Sequence, residues 1–250
     1  MIRADVLLQQ CGLARSRAQA QAMIAAGEVF LADGTYVGKA SRKLPTDSHF
    51  RISGGGLRFV ARSGEKLAAA LDAFSIEVQG NTVLDIGAST GGFTDCVLQR
   101  GAASVVCVDV GHGQLAPEIA AEARVTSFEG VNARSLDNEE LEPPVFDRIV
   151  IDVSFISLRL ILGPAWNRLR SGGYLIALVK PQFEVGKTVM DATGGVLRDT
   201  ALQADARDRV LAFADGLPGA VSLGWIDSPI SGGDGNHEFL AAWTKAAKTP

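Results

Sequence analysis

The run Val83-Leu84-Asp85-Ile86-Gly87-Ala88-Ser89-Thr90-Gly91-Gly92-Phe93-Thr94-Asp95 decides the reading of this chain. Thr82 to Ile86 is an apolar run of strand length, a loop of small residues follows, and Phe93 to Gln99 has helical character that closes at Gly101. A strand, a glycine-rich turn and a helix in succession let a ligand approach the backbone where any Cβ would intrude, and they supply positions that tolerate positive φ. A second strand, Ser104 to Asp109, ends in a carboxylate. Asp109 lies about twenty residues beyond the loop, the spacing at which a βαβ unit sets an acid against the ribose hydroxyls of a nucleoside.

Which nucleoside follows from the order of residues in the loop. The dinucleotide fingerprint G-x-G-x-x-G receives a pyrophosphate on its glycines and helix N-terminus. Here the order is Asp85-x-Gly87-x-Ser89-x-Gly91-Gly92. A carboxylate at the end of the first strand repels an anion and attracts the amino and sulfonium groups of S-adenosylmethionine. That cofactor is therefore favoured over NAD, and over a glycine-rich turn that holds nothing.

Working outward, the 250 residues suffice for one sizeable core plus a small module. An apolar fraction of 47% and a charged fraction of 21% are those of a globular chain. The longest apolar runs, such as Tyr174 to Val179, are strand-sized, so no membrane span is expected, and Met1-Ile-Arg-Ala-Asp lacks the apolar core of a signal peptide. Cys11, Cys96 and Cys107 are scattered and odd in number, which points to a reducing cytoplasm, to core packing and to no metal site. The net charge of −4 hides an asymmetry. Residues 1–62 hold nine Lys/Arg against four Asp/Glu, a balance of +5, and residues 63–250 hold fifteen against twenty-four, a balance of −9. A basic head on an acidic body suits a polyanionic partner.

The head opens with a short helix, Arg3 to Gly12, and a second one capped by Ser16 and running from Arg17 to Ala26. Arg15 and Arg17 oppose the dipole at the start of the second helix, a placement that favours use by a partner. Two β segments follow, Val29 to Leu31 and Phe50 to Ile52, with a turn at Asp33-Gly34 and basic residues at Lys39, Arg42 and Lys43. The run Ser16-Arg17-Ala18-Gln19-Ala20, continued through Gly27-Glu28-Val29 to Gly34, resembles the S4 RNA-binding domain. The resemblance implies a small α+β module over residues 1–57 whose RNA face includes Arg3, Arg15, Arg17, Gln19, Lys39, Arg42 and Lys43. Ser53-Gly54-Gly55-Gly56 reads as a hinge and residues 58–65 as a linker.

The remainder, 66–250, alternates. A helix from Lys66 to Phe74 precedes the first strand of the sheet. Val125 to Phe128 is a third strand that leads to Asn132 and Arg134, and Phe146 to Asp152 is a fourth. Leu158 to Leu169 is a helix turned by Gly172-Gly173 into a fifth strand, Tyr174 to Lys180, followed by Pro181-Gln182-Phe183. Gly186 to Leu197 reads as a loop able to order on binding, and Asp199 or Thr200 caps a helix to about Ala214. A terminal hairpin pairs Val221–Ile226 with Glu238–Trp243. This predicts an α/β, Rossmann-like sheet with an antiparallel last strand. Ligands of such sheets bind beyond the carboxyl ends of the strands, where Asp85, Asp109, Asp152 and Lys180 all fall. His237, beside a strand, is a weaker candidate for a base.

Lys66, Asp152, Lys180 and Glu238, in Ser-Gly-Glu-Lys-Leu, Asp-Val-Ser-Phe, Val-Lys-Pro-Gln-Phe and Gly-Asn-His-Glu-Phe, resemble the Lys-Asp-Lys-Glu tetrad of the FtsJ-like RNA ribose methyltransferases. With the S4-like head in front, nearly the whole chain resembles the TlyA family of ribosomal RNA cytidine 2′-O-methyltransferases, which also circulate as hemolysins. The resemblance implies S-adenosylmethionine as cofactor, held by Asp85, Gly87, Ala88, Ser89, Thr90, Gly91, Gly92, Phe93, Asp109, Val110, Asn132 and Asp152. It implies ribosomal RNA in ribosomal subunits as partner, in the cytoplasm, with a monomer expected. It also makes Lys180 the base for the 2′-hydroxyl. Lysine is charged at neutral pH unless desolvation and like charge outweigh its carboxylate neighbours, so positioning of the hydroxyl and stabilisation of the alkoxide stay open as its role. An RNA-binding protein without turnover is the alternative. A membrane-lytic role is disfavoured because no insertion segment is present.

Overall fold

The computed structural model describes all residues except 15, 26, 53–57, 233, 234 and 248–250, and the side chains of 187 and 192. Two compact units result, Met1–Arg58 and Phe59–Pro250.

In the first unit, β1 (Ile2–Arg3) leads into α1 (Ala4–Gln10), and α2 (Arg17–Ala25) follows, with Ser16 Oγ accepting from the Gln19 amide at 3.1 Å as the expected cap. β2 (Val29–Leu31), β3 (Lys43–Leu44) and β4 (Phe50–Ile52) complete it. β2 and β4 have the bounds read from the sequence, and they pair antiparallel with each other. The β1–β3 pair was not anticipated, because two-residue strands carry no periodicity. Leu7, Leu8, Met23, Ile24 and Val29 fill a small core of their own. Cys11 is exposed at the end of α1 and is not a core residue, unlike the buried Cys96 and Cys107. The expected hinge, Ser53 to Gly56, lies outside the described residues.

The second unit begins earlier than the sequence suggested. Phe59 is 1% exposed, the Val60 amide donates to Asp95 Oδ2 at 2.7 Å, and α3 (Ser63–Ala73) is already helical where a linker was read. After it come β5 (Thr82–Ile86), α4 (Gly92–Gln99), β6 (Ser104–Asp109), α5 (Pro117–Ala120) and β7 (Val125–Glu129). A 3-10 turn at Ala133–Asn138 precedes β8 (Phe146–Ile151), α6 (Arg159–Asn167) and β9 (Leu169–Val179). Then follow α7 (Pro181–Glu184), α8 (Lys187–Ala192), α9 (Thr200–Asp215), β10 (Ala220–Asp227) and β11 (Phe239–Lys245). Two local readings are corrected. Gly172-Gly173 lies inside β9, where the register against β8 jumps from Phe146↔Leu169 to Arg148↔Tyr174, so the glycines make an irregularity rather than a turn. The segment after Gly186 contains α8 and is not a bare loop. Asp199 caps α9 as expected, accepting from the amides of Ala201 and Leu202.

The seven strands lie in the order β10-β11-β9-β8-β5-β6-β7. β5 to β9 pair in parallel and β11 runs against both β9 and β10. Alternate residues of each central strand face opposite layers. Leu84, Ile149 and Leu175 pack toward α6 and α9, whereas Val83, Val150 and Ile176 pack toward α3 and α4. Burial on both faces explains why these strands read as unbroken apolar runs. The chain winds outward from β5 through β6 to β7 and then returns to place β8 on the other side of β5. That reversal is the switch point at which sheets of this kind open a ligand crevice.

Candidate active site

Register brings the chemistry to one rim. Ile86 is level with Val108 on one side and Ile151 on the other, so Gly87, Asp109 and Asp152 leave their strands together. Phe239 is paired with Val179. The antiparallel β11 therefore starts where β9 ends, which sets Glu238 beside Lys180.

The glycine loop is built as its composition demands. Gly87 has φ +83°, and a Cβ there would lie 2.4 Å from the Asp152 carbonyl oxygen. Its amide donates to Val108 O at 2.8 Å, and the Ser89 amide donates to Asp109 Oδ2 at 2.8 Å. Gly91, at φ +92°, turns the chain into α4. Gly91 and Gly92 shape this turn but stay off the cavity walls.

Three cavities meet along the rim. One of about 520 Å³ is bounded by Asp109, Val110, Asn132 and the apolar Val131 and Ile161. A second, about 300 Å³, lies between Gly87–Thr90, Phe93, Lys66, Asp152 and Lys180. A third, about 670 Å³, adjoins Lys66, Lys180 and Glu238 on the far side. Ser154 borders all three.

At the junction the four charged candidates form two pairs. Lys66 Nζ donates to Glu238 Oε2 at 2.5 Å, with the side chains 10% and 3% exposed. Lys180 Nζ lies 2.6 Å from Asp152 Oδ1, an ion pair not aligned as a hydrogen bond, and donates to Ser154 Oγ at 2.8 Å. Two lysines offset by two carboxylates leave the junction close to neutral while presenting a fixed ammonium to whatever enters it.

Asp85 departs from the sequence expectation. It is fully buried beneath the loop, borders none of the three cavities, and accepts from Thr94 Oγ1 at 2.6 Å. Burial, with help from the carboxylates of Asp152 and Asp109, raises its pKa to about 7 against the Thr94 bond. Its second oxygen has no partner. Asp85 thus acts under the loop rather than as a wall of the site. Asn132 does reach the cavity beside Asp109, and its Oδ1 caps the 3-10 turn by accepting from the Arg134 amide at 3.1 Å. His237 borders none of the three cavities. Its Nε2 is 2.9 Å from Asp227 Oδ1 and its ring stacks edge-on against Phe239.

Sequence reasoning passed over residues on the third cavity. Phe155 is 91% exposed, has φ +65°, and sits 5.1 Å from the Phe183 ring. Glu184 braces that loop, accepting from Ser157 Oγ and the Leu158 amide, both at 2.6 Å. Asn236, 3% exposed, accepts from the Leu197 amide and donates to Gly195 O. Positive φ at a phenylalanine leaves no mark in sequence, though the aromatic after Asp152-Val-Ser was a signal to follow.

In the first unit, Arg3 binds the buried Asp5 carboxylate through two contacts of 2.9 Å, and Arg17 reaches it at 3.3 Å. The Arg3 guanidinium holds the Asp5 carboxyl well below the usual range. These two candidates are thus partly committed to a structural carboxylate. Lys39 and Lys43 are exposed, Gln19 is half-buried, and Arg42 donates to Tyr36 O at 2.8 Å. Arg15 lies outside the described residues. Among the described residues no helix is long and apolar enough to cross a membrane, and no group of three His, Cys, Asp or Glu is placed to hold a metal ion.

Comparison with known proteins agrees with this geometry. Residues 59–245 match the FtsJ-like methyltransferase family. Over 95% of its length the chain is 42% identical to a 16S/23S rRNA (cytidine-2′-O)-methyltransferase TlyA of Mycobacterium tuberculosis, spanning 88% of that protein. It is 37% identical to hemolysin A of Brachyspira hyodysenteriae, over 96% of this chain and 98% of that one. A solved structure from Streptococcus thermophilus, described as a candidate hemolysin, superposes with a TM-score of 0.74 at 40% identity, covering 99% of this chain and 89% of that one. The chain belongs to the FtsJ-like methyltransferase family and, within it, to the group that holds TlyA and hemolysin A.

Proposed function

We propose that the protein transfers a methyl group from S-adenosylmethionine to the 2′-hydroxyl of a cytidine in ribosomal RNA, in the cytoplasm. The observation that carries the reading is the meeting of the Lys66–Glu238 and Lys180–Asp152 pairs at the junction between a glycine-loop cavity and an open outer one.

The residues present suit the cofactor. Asp109, oriented by the Ser89 and Gly111 amides, would hold the ribose hydroxyls, and Val110, Val131 and Ile161 would supply apolar walls for the adenine. Gly87 lines both inner cavities and, lacking a Cβ, lets the Asp152 backbone pack against the loop there. When bound, the cofactor supplies an activated methyl group. The chain then has to align the acceptor oxygen and dispose of its proton. Lys180 Nζ, anchored by Asp152 and Ser154, aligns the 2′-hydroxyl and holds the charge that develops on its oxygen. With Lys180 holding the developing charge as an ammonium, the hydroxyl proton passes to the Asp152 carboxylate beside it, and Lys66 with Glu238 flanks the same oxygen. The first unit serves as an S4-like RNA-binding module, supported by its Ser16-capped helix and by the exposed Lys39 and Lys43. Phe155, outermost on the third cavity, offers a face on which a base can stack.

The test incubates the protein with tritiated S-adenosylmethionine and separated 30S subunits, 50S subunits and protein-free rRNA from cells lacking the enzyme. Label in the RNA of one subunit, absent with Lys180→Ala, is the expected result. Cofactor binding without label in any RNA would overturn the reading.

A further inference from the structure

Among the described residues, the wall of the third cavity has one polar side chain left over. Lys66 is spent on Glu238, Lys180 on Asp152 and Ser154, Ser157 on Glu184, and Asn236 on the backbone of Gly195 and Leu197. Gln182, on α7 between Lys180 and Phe183, is 9% exposed, and its Oε1 has no hydrogen-bond partner. A buried amide oxygen without a donor is destabilising, and few native groups are left so without a reason. Gln182 borders the cavity beside the Phe155–Phe183 pair, whose ring centroids are 5.1 Å apart. A half-turn about the soft terminal torsion of glutamine exchanges its acceptor and donor ends, so either can be offered to an occupant.

We propose that Gln182 is a substrate-contacting residue: its side-chain amide hydrogen-bonds the base of the target nucleotide, whose face lies against the Phe155–Phe183 pair while its ribose reaches Lys180. The chemistry matches on both sides. A nucleobase edge presents donors and acceptors side by side, as a carboxamide does, and its faces are apolar. The neighbouring Lys180 is committed to the ribose oxygen and Asn236 to the loop at Gly195, so neither is left to read the base. This assignment rests on the ribose-methyltransferase reading above and adds the group that recognises what is methylated.

The test uses the full chain with Gln182→Met, which keeps the length of the side chain and removes its polar atoms. Wild-type transfer of tritiated methyl to ribosomal subunits is measured first, and its absence overturns the function and this assignment together. With wild-type turnover in hand, Gln182→Met is expected to lower kcat/KM for the RNA at least about tenfold, the worth of one good hydrogen bond. Affinity for S-adenosylmethionine should stay within about twofold, and Tm should hold or rise, because an orphaned acceptor is replaced by an apolar group of similar shape. Unchanged kcat/KM overturns the assignment. A fall in Tm with a parallel loss of cofactor binding overturns it as well, since that is the signature of a purely structural amide.

Discussion

On the proposed reading, turnover depends on Lys180. Its Nζ is fixed by Asp152 and Ser154 at the junction of two cavities, so Lys180→Ala would remove the group proposed to align the hydroxyl and would unpair Asp152. Single-turnover assays should show kcat reduced at least about 100-fold, within the range for a lost acid–base group, while calorimetry finds cofactor affinity nearly unchanged. Asp85 makes a different kind of prediction. Its pKa is raised from 3.8 to about 7 in the folded chain. Between those values the folded state holds a proton that the unfolded state has released, so the contribution favours folding in acid and is lost as pH rises through about 7. The full cost at alkaline pH is roughly 4 kcal/mol. Asp85→Asn keeps an acceptor for Thr94 and removes the ionisation. Urea unfolding across the pH range should show a flatter stability profile and a more stable variant above neutrality. The two residues also mark what sequence reveals. Lys180 was legible because a charged residue ended an apolar strand, and so was the position of Asp85. Its direction, under the loop rather than into the crevice, depends on Thr94 in the first turn of α4, nine residues later, and on packing that no local pattern encodes.

At the scale of elements, the proposed cofactor site rests on the loop between β5 and α4. Gly87 combines φ +83° with a backbone oxygen where its Cβ would be, so an added methyl group meets both strain and a clash with the chain that carries Asp152. Gly87→Ala should weaken S-adenosylmethionine binding at least about tenfold, measured by calorimetry, because left-handed strain alone costs about 1–3 kcal/mol. The strands of the sheet were read with bounds close to those found, since long apolar runs buried on both faces leave few alternatives. Readings failed where residues serve two elements. The stretch after α6 continues directly into β9, which absorbs Gly172-Gly173, and the segment before α9 coils into α8. Glu184 shows the same limit for function. It ties the loop after β8 to the helix after β9, an arrangement set by the order of strands and invisible to spacing along the chain.

For the whole molecule, charge and chemistry are divided between the two compact units. The basic balance of residues 1–62 lies apart in sequence from the acidic remainder that carries the tetrad. If the first unit supplies the grip on RNA, substituting Lys39, Arg42 and Lys43 together by alanine should weaken rRNA binding. The slope of log affinity against log salt should fall by about two to three, as each lost phosphate contact releases fewer counterions. Cofactor affinity and the chemical step at saturating RNA should be unaltered, as filter binding and single-turnover kinetics would show. The central claim is that the methyl group reaches a ribose oxygen. The most direct measurement digests rRNA that the purified protein has methylated and identifies the modified nucleoside by mass spectrometry. The account predicts 2′-O-methylcytidine, with the added mass on the sugar fragment; a methyl group on a base fragment, or label recovered only in ribosomal protein, would contradict it.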